Sequence, residues 1–362
     1  MLKRIIASLL CIALFLCALT ACGSAPAAPS DAVTVTVTDC AGRKVTVPKE
    51  PVSICTLCPF SGHMAILLGA GERITSTVNN VSRSELIREI CPSITQATVV
   101  KNSGSVNAEE ILRLGTDLII VNDGTYRSDA EKAKLDAIGV PYVVIGYETI
   151  DEQLKAVEIL GKTLGKQEKA AEYVKYFRDV IETISGVQSD QTPRLYHAVN
   201  EAVRTDAADS YCAEWIALTG ADNVSTAGGS LRMDGDKAFT TLEQIYAWDP
   251  DVIVCNEAQV DDYILTDAKW QGLRAVREKK VYQIPVGVTR WGHPTSVETP
   301  LAILWLATLL HPDALGHLDM NSMIRDFYKR FFDYELSDAW LTAILEADSM
   351  RTPRTESGGQ AA

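Results

Sequence analysis

The sequence predicts an α/β fold of two lobes joined by one long helix, and three observations carry that expectation. Strand and helix patterns alternate on both sides of a central helical stretch. A sixteen-residue segment of the first half recurs in the second. The chain has 362 residues, about two domains' worth. Hydrophobic residues make up 47% and charged residues 22%, the balance of a globular chain, which excludes general disorder and a polytopic membrane protein.

Residues 1–21 read as an export signal. Lys3 and Arg4 precede an apolar run from Ile5 to Ala18, broken by Ser8 and short for a membrane span. Leu19-Thr20-Ala21-Cys22 resembles a bacterial lipoprotein box, with the Cys22 thiol as the lipid attachment point. Residues 22–33 are small and Pro-containing, the composition of a tether. The reading is of a protein held by lipid on the extracytoplasmic face of a bacterial cell membrane.

The first lobe is expected over 34–165. Val33 to Val47 alternates β-branched and polar residues around Ala41-Gly42, a hairpin pattern. Val52 to Leu57 reads as a strand, Pro59 to Gly62 as a turn, and His63 to Leu68 as a helix closed by Gly69. Asp117 to Val121 and Val140 to Ile145 are buried strands around a helix from Ser128 to Ile138. The pattern stays helical from Ile150 to Ile184. Ala170, Val174, Phe177, Ile181 and Ile184 form one apolar stripe, and the linking helix is placed at 166–187. Alternation resumes over 188–348, the second lobe, and residues 349–362 are a polar tail.

The repeat aligns Ala108–Asp123 with Leu242–Glu257 without gaps, at an offset of 134 residues. Each copy is a helix opening with glutamate, a tight turn, and a buried strand ending in polar residues. Two such Rossmann-like lobes leave a cleft between them, and strand ends are where these folds place ligands.

Charge and motifs then exclude classes of function. Lys+Arg number 34 against Asp+Glu 47, a net charge of −13, so a nucleic-acid backbone is repelled. The chain lacks G-x-G-x-x-G, G-x-S-x-G and H-E-x-x-H, which leaves no enzyme signature. Cys55-x-x-Cys58 keeps an exported thiol-redox or metal-dependent enzyme as the alternative from another class. Beyond Cys11, Cys17 and Cys22 stand six cysteines, which allow fifteen pairings, and their state is open.

An ordered set of motifs resembles the substrate-binding proteins of ABC transporters for ferric siderophores, haem and vitamin B12, the class III periplasmic-binding family. It begins with Val37-Thr38-Asp39-Cys40-Ala41-Gly42-Arg43-Lys44-Val45-Thr46-Val47-Pro48 and continues through Leu67-Leu68-Gly69-Ala70-Gly71 and Asn107-Ala108-Glu109-Glu110-Ile111. Leu242-Glu243-Gln244, Trp248-Asp249-Pro250-Asp251, Trp270 and Leu304-Trp305-Leu306-Ala307 with His311-Pro312 extend it to about residue 346. The resemblance implies rigid lobes with slight closure, no enzymatic activity and no resident cofactor. It also implies a monomer that delivers a metal chelate to a permease dimer driven by a cytoplasmic ATPase. The expected ligand is an iron-siderophore-type chelate, with a corrinoid, haem, or a nickel or cobalt chelate as alternatives. Glu109 and Glu243, equivalent acids of the two repeats, are implied as the carboxylates that meet arginines of the permease. One departure is the stretch Cys58-Pro59-Phe60-Ser61-Gly62-His63-Met64, which has no acid after the first strand.

Candidate ligand residues follow from position after strands: Cys58, Phe60 and His63; Asn122, Asp123 and Tyr126; Tyr147; His197, Glu201 and Arg204; Arg232; Asn256; and Arg290, Trp291 and His293. Arginines and aromatics suit a bulky anionic chelate, because guanidinium groups neutralise its oxygens and ring faces cover its apolar edge. Cys58, His63 and His293 are candidates for direct metal ligation, and Met64 for haem iron, although ordinary packing is the default for such residues.

Overall fold

A computed structural model describes residues 33–102, 104–187, 192–226 and 231–348. The predicted signal, the lipid site at Cys22 and the polar tail lie outside the described residues.

The chain opens with β1 (Thr34–Thr38) and β2 (Lys44–Pro48), which form a two-stranded sheet. Gly42 takes a φ of 75° in the turn, and the buried Asp39 carboxylate organises it by accepting from the Ala41 and Arg43 N–H groups. Next come β3 (Ile54–Thr56), α1 (Pro59–Leu67), β4 (Ile74–Val78), β5 (Thr98–Asn102), β6 (Ser105–Val106), α2 (Ala108–Arg113), β7 (Leu118–Asn122) and β8 (Tyr142–Ile145). They build a six-stranded sheet of order β6-β5-β4-β3-β7-β8, parallel except for β6. The stretch Pro59–Gly62, expected as a turn, is the first turn of α1. Proline at the first helical position lacks only an N–H that would be unpaired there anyway, so it opens the helix. His63 therefore sits inside the helix rather than at its start.

The helical stretch from Ile150 is two helices, α3 (Ile150–Leu164) and α4 (Gln167–Ser185). A capping box between Thr149 and Glu152 starts α3, and Gly165 at φ 69° ends it. The two helices pack tightly beside their joint, since a Cβ at Gly161 would overlap the Ala170 methyl.

The second half holds β9 (Arg194–Ala198), β10 (Arg204–Thr205), α5 (Tyr211–Leu218), β11 (Asp222–Asn223), β12 (Arg232–Asp234), β13 (Lys237–Phe239), α6 (Leu242–Trp248), β14 (Val252–Cys255) and β15 (Val281–Gln283). A four-stranded parallel sheet runs β11-β9-β14-β15, and a small antiparallel sheet runs β10-β13-β12. The helices α7 (Thr299–Leu310), α8 (Met320–Phe332) and α9 (Asp338–Leu345) follow.

The repeat is visible in the packing. In β7, Leu118 and Ile120 join the central core while Ile119 and Val121 join an outer one. In β14, Val252 and Val254 join the same central core while Ile253 and Cys255 face a third cluster. This is the period of two for strands covered on both faces. The central core runs from Val37 to Ile344 and draws on both sheets and on α3, α4 and α7. Trp215 and Trp291 are fully buried within it, each contributing about 1.5–3 kcal/mol or more by burial.

Candidate functional site

The carboxyl ends of both sheets open into one cleft with two adjoining chambers, which share Pro59 and Thr295 in their walls. The narrower chamber has a volume of about 110 Å³ and is lined by polar groups, among them His63, Asn80, Asn256, Glu257, Arg290 and His293. The wider one, about 570 Å³, is lined by Cys58, Phe60, Asn122, Asp123, Arg127 and Tyr147, with Cys40, Glu148 and Glu152 nearer its edge.

The first lobe builds its wall from strand ends. Cys58 caps α1 with extended backbone and donates its thiol to Ser61 Oγ at 3.1 Å, while that hydroxyl donates to the Cys58 carbonyl at 2.9 Å. Burial pushes the Cys58 thiol up. Asn122, at the end of β7, accepts from Thr125 Oγ1 at 2.6 Å and from Lys101 Nζ at 3.4 Å. The Lys101 ammonium also donates to the Leu57 carbonyl, so it ties the ends of β3 and β7 together beneath the chamber. Partial burial holds its pKa below the usual lysine value. Phe60 and Tyr147 meet edge to face at 5.0 Å between ring centroids.

His63 is 1% exposed, and neither ring nitrogen reaches a partner with hydrogen-bonding geometry. Desolvation pulls its pKa down to about 4, against a smaller opposing effect of the Asn80 backbone. The imidazole is therefore neutral at pH 7 and keeps both a donor and an acceptor for a ligand.

The second lobe builds its wall from the segment after β15. Glu298 lies fully buried beneath it and accepts from Tyr328 Oη, from the Thr289 N–H at 2.9 Å and from Thr289 Oγ1 at 3.2 Å. Desolvation raises its pKa, and the bonds to Tyr328 and Thr289 oppose that rise. A Cβ at Gly287 would overlap Glu298 Oε1, so glycine is required there. Arg290 reaches Glu257 and Asn200, each at 2.6 Å, and the Asn200 N–H donates to Asn256 Oδ1 at 2.8 Å. His293 Nδ1 accepts from the Thr295 N–H at 3.1 Å. The lobes meet where Tyr147 Oη donates to the Pro294 carbonyl at 2.6 Å.

Nine of the residues expected at the ligand thus line the chambers: Cys58, Phe60, His63, Asn122, Asp123, Tyr147, Asn256, Arg290 and His293. Six lie elsewhere. Tyr126 packs with Arg43 against Tyr142, the guanidinium carbon 4.8 Å from its ring centroid. Arg232 is exposed on β12 and stacks on Phe239. His197 and Arg204 sit among buried groups behind the loop, and Trp291 turns from the chamber into the core. Position after a strand does not fix which way a side chain points. His197 lies inside β9, where alternation sends it inward. Glu201 is exposed. The sequence reading missed Glu257, although the repeat pairs it with Asp123. It also missed Asn80, Ser84, Thr289, Thr295 and Glu298, which carry no periodic signal. Of the three metal candidates, His63 and His293 line one chamber and Cys58 the other. The six described cysteines are all free.

A family model for periplasmic binding proteins matches residues 54–286. The chain belongs to that family. It is a solute-binding protein of an ABC importer, not an enzyme. Among relatives, a molybdate-binding protein, MolA, of Haemophilus influenzae is 25% identical over 82% of this chain and 90% of that one. A Bacillus subtilis ABC transporter substrate-binding lipoprotein, YvrC, is 24% identical over 77% of this chain and 86% of its own. A periplasmic solute-binding protein of Veillonella parvula has a solved structure with a TM-score of 0.76 and 26% identity, covering 89% of this chain and 99% of that one. The two-lobed α/β fold of this periplasmic binding protein is the one described above. Among the described residues, no helix is long and apolar enough to cross a membrane.

Proposed function

We propose that this solute-binding protein captures an oxygen-rich anionic metal complex in the interlobe cleft. The observation that carries the reading is the narrow chamber itself. Neutral His63, Asn80, Asn256, Thr289 and Thr295 offer hydrogen bonds there, and Arg290 supplies a guanidinium held in place by Glu257. Fixed neutral dipoles around the Arg290–Glu257 ion pair suit a compact anion, which takes hydrogen bonds from them and from the guanidinium. The relative that binds molybdate supports a metal oxyanion as the type ligand. Phe60 and Tyr147 in the wider chamber favour a second reading, an iron-siderophore-type chelate with its organic part against those rings. A planar haem or corrinoid is far larger than the narrow chamber. The metal of that complex arrives as cargo. Calorimetric titration of the chain from Gly23 onward against molybdate, a ferric siderophore and a nickel–histidine complex tests the class. Saturable binding of one at micromolar concentration or below is expected, and a silent panel with folded protein would overturn it.

The proposal includes lipid anchoring through Cys22 on the extracytoplasmic face and delivery, as a monomer, to a permease dimer with its ATPase. The lobes are taken as 34–165 and 188–348, bridged by 166–187. Docking is assigned to Glu109 and Glu243. Both are exposed at the second position of repeat helices, α2 capped by Asn107 and α6 capped by Thr241. Neither forms an ion pair among the described residues, so both carboxylates are available to permease arginines. Glu109→Ala with Glu243→Ala is expected to abolish uptake while ligand affinity stays unchanged; normal uptake would remove the assignment.

A further inference from the structure

Behind the cleft loop lies a second constellation that ligand capture does not use. His197 in β9, Asp206 after β10 and Cys212 in α5 are 1%, 4% and 7% exposed. A ring nitrogen of His197, a carboxylate oxygen of Asp206 and the Cys212 sulfur all lie within 4.8 Å of one another. We propose that these three side chains form a buried structural site for a divalent transition cation of the zinc class.

Three observations support it. The first is the donor set. Thiolate, imidazole and carboxylate are the ligands a borderline-soft cation selects, and few other ions accept all three. The second is spacing. His197 Nδ1 stands 2.8 Å from Asp206 Oδ2, so a small shift lets both hold one ion in place of the proton between them. The third is charge. A dication with the Asp206 carboxylate and a Cys212 thiolate sums to zero, with the Cys212 proton released to solvent on binding.

The surroundings hold the donors. Asn223 Nδ2 donates to Asp206 Oδ2 at 2.9 Å, and the Ser225 hydroxyl donates to the Asp206 carbonyl at 3.0 Å. Cys212 Sγ and Trp215 Nε1 both approach the Gly292 carbonyl, at 3.5 and 2.9 Å. That carbonyl belongs to the loop that carries Arg290 and His293. An ion here would fix β9, α5 and the floor of the cleft loop at one point, acting on the ligand site only through the loop.

The test is metal content, without any cleft ligand, so its outcome is independent of the reading of the cleft. The chain from Gly23 onward is refolded under reducing conditions with Co²⁺, and unbound ion is removed. One Co²⁺ per chain and a thiolate-to-cobalt charge-transfer band are expected. Both are expected to vanish in Cys212→Ser and to persist in Cys58→Ser, whose sulfur lines the cleft. If circular dichroism shows Cys212→Ser unfolded, His197→Gln carries the same expectation. A folded wild-type chain that retains no cobalt overturns the proposal. So does a band that survives loss of Cys212 or depends on Cys58.

Discussion

The two copies of the repeat end at equivalent places and do different things there. Asn122-Asp123 closes β7 in the wall of the wider chamber, and Asn256-Glu257 closes β14 in the wall of the narrower one. Their strands alternate identically between cores. Their partners do not match. Asn122 accepts from Lys101 and Thr125, groups of its own lobe, and Asp123 pairs with exposed Arg127. Asn256 instead holds the Asn200 backbone, and Glu257 pairs with half-buried Arg290, delivered by a loop far along the chain. Strand packing therefore fixes where the side chains stand, while segments outside the repeat decide their chemistry. The first wall is built into a sheet, and the second hangs on a loop held from below.

Breaking the support of the loop should separate the two walls most sharply. Glu298→Ala leaves the Thr289 N–H and the Tyr328 hydroxyl without their buried acceptor. A stability loss of about 3–5 kcal/mol is expected from two or three such groups at about 1–3 kcal/mol each, with weakened ligand binding. Denaturant unfolding measures it, and an unchanged midpoint would show that the loop stands without Glu298. Its raised pKa also gives a signature. The carboxyl's contribution is present below the ordinary carboxylate range and lost as pH rises through its folded value, so Glu298→Gln should remove that decline.

His63, on the other wall, has the opposite sign. Its folded pKa of about 4 lies below the ordinary histidine value, so its contribution is full above that value and lost as pH falls toward 4. The loss amounts to about 3 kcal/mol over that window. Unfolding free energies at several pH values should show this acid limb flattened in His63→Gln. An equally steep limb would place the titration on another group.

Arg290→Ala sharpens the comparison at the ligand. A loss of about 1.5–3 kcal/mol in affinity is expected, the scale of a hydrogen bond to a charged group, and an unaltered dissociation constant would exclude Arg290 from the site. The smallest effect is expected at the contact between lobes. Tyr147→Phe deletes one neutral hydrogen bond to Pro294, worth about 1 kcal/mol in unfolding free energy.

Much of this frame was legible because strands covered on both faces write themselves as short apolar runs. The repeat located β7, β14 and the paired acids Glu109 and Glu243 without any coordinates. The turn at Pro59 was misread because proline both ends and begins helices, and only the following buried face of α1 decides between the two. Trp291 and His197 were placed at the ligand by sequence position, yet both point into packed interior. Glu298 and Glu257 were missed because their partners, Tyr328 and Arg290, lie 30 and 33 residues away in sequence. No local pattern records such a pairing.

The paired helices α3 and α4 bear on what a transporter can sense. Both pack against α5, α4 also packs against α7, and their joint is tight where Gly161 meets Ala170. A brace of two packed spans, embedded in the core that both sheets share, leaves no single swivel about which the halves could turn. If the proposed function holds, loaded and empty molecules present nearly the same outline. The message that cargo is aboard would then be read from the rim of the cleft, from a changed local charge or a stilled loop, and not from the distance between Glu109 and Glu243.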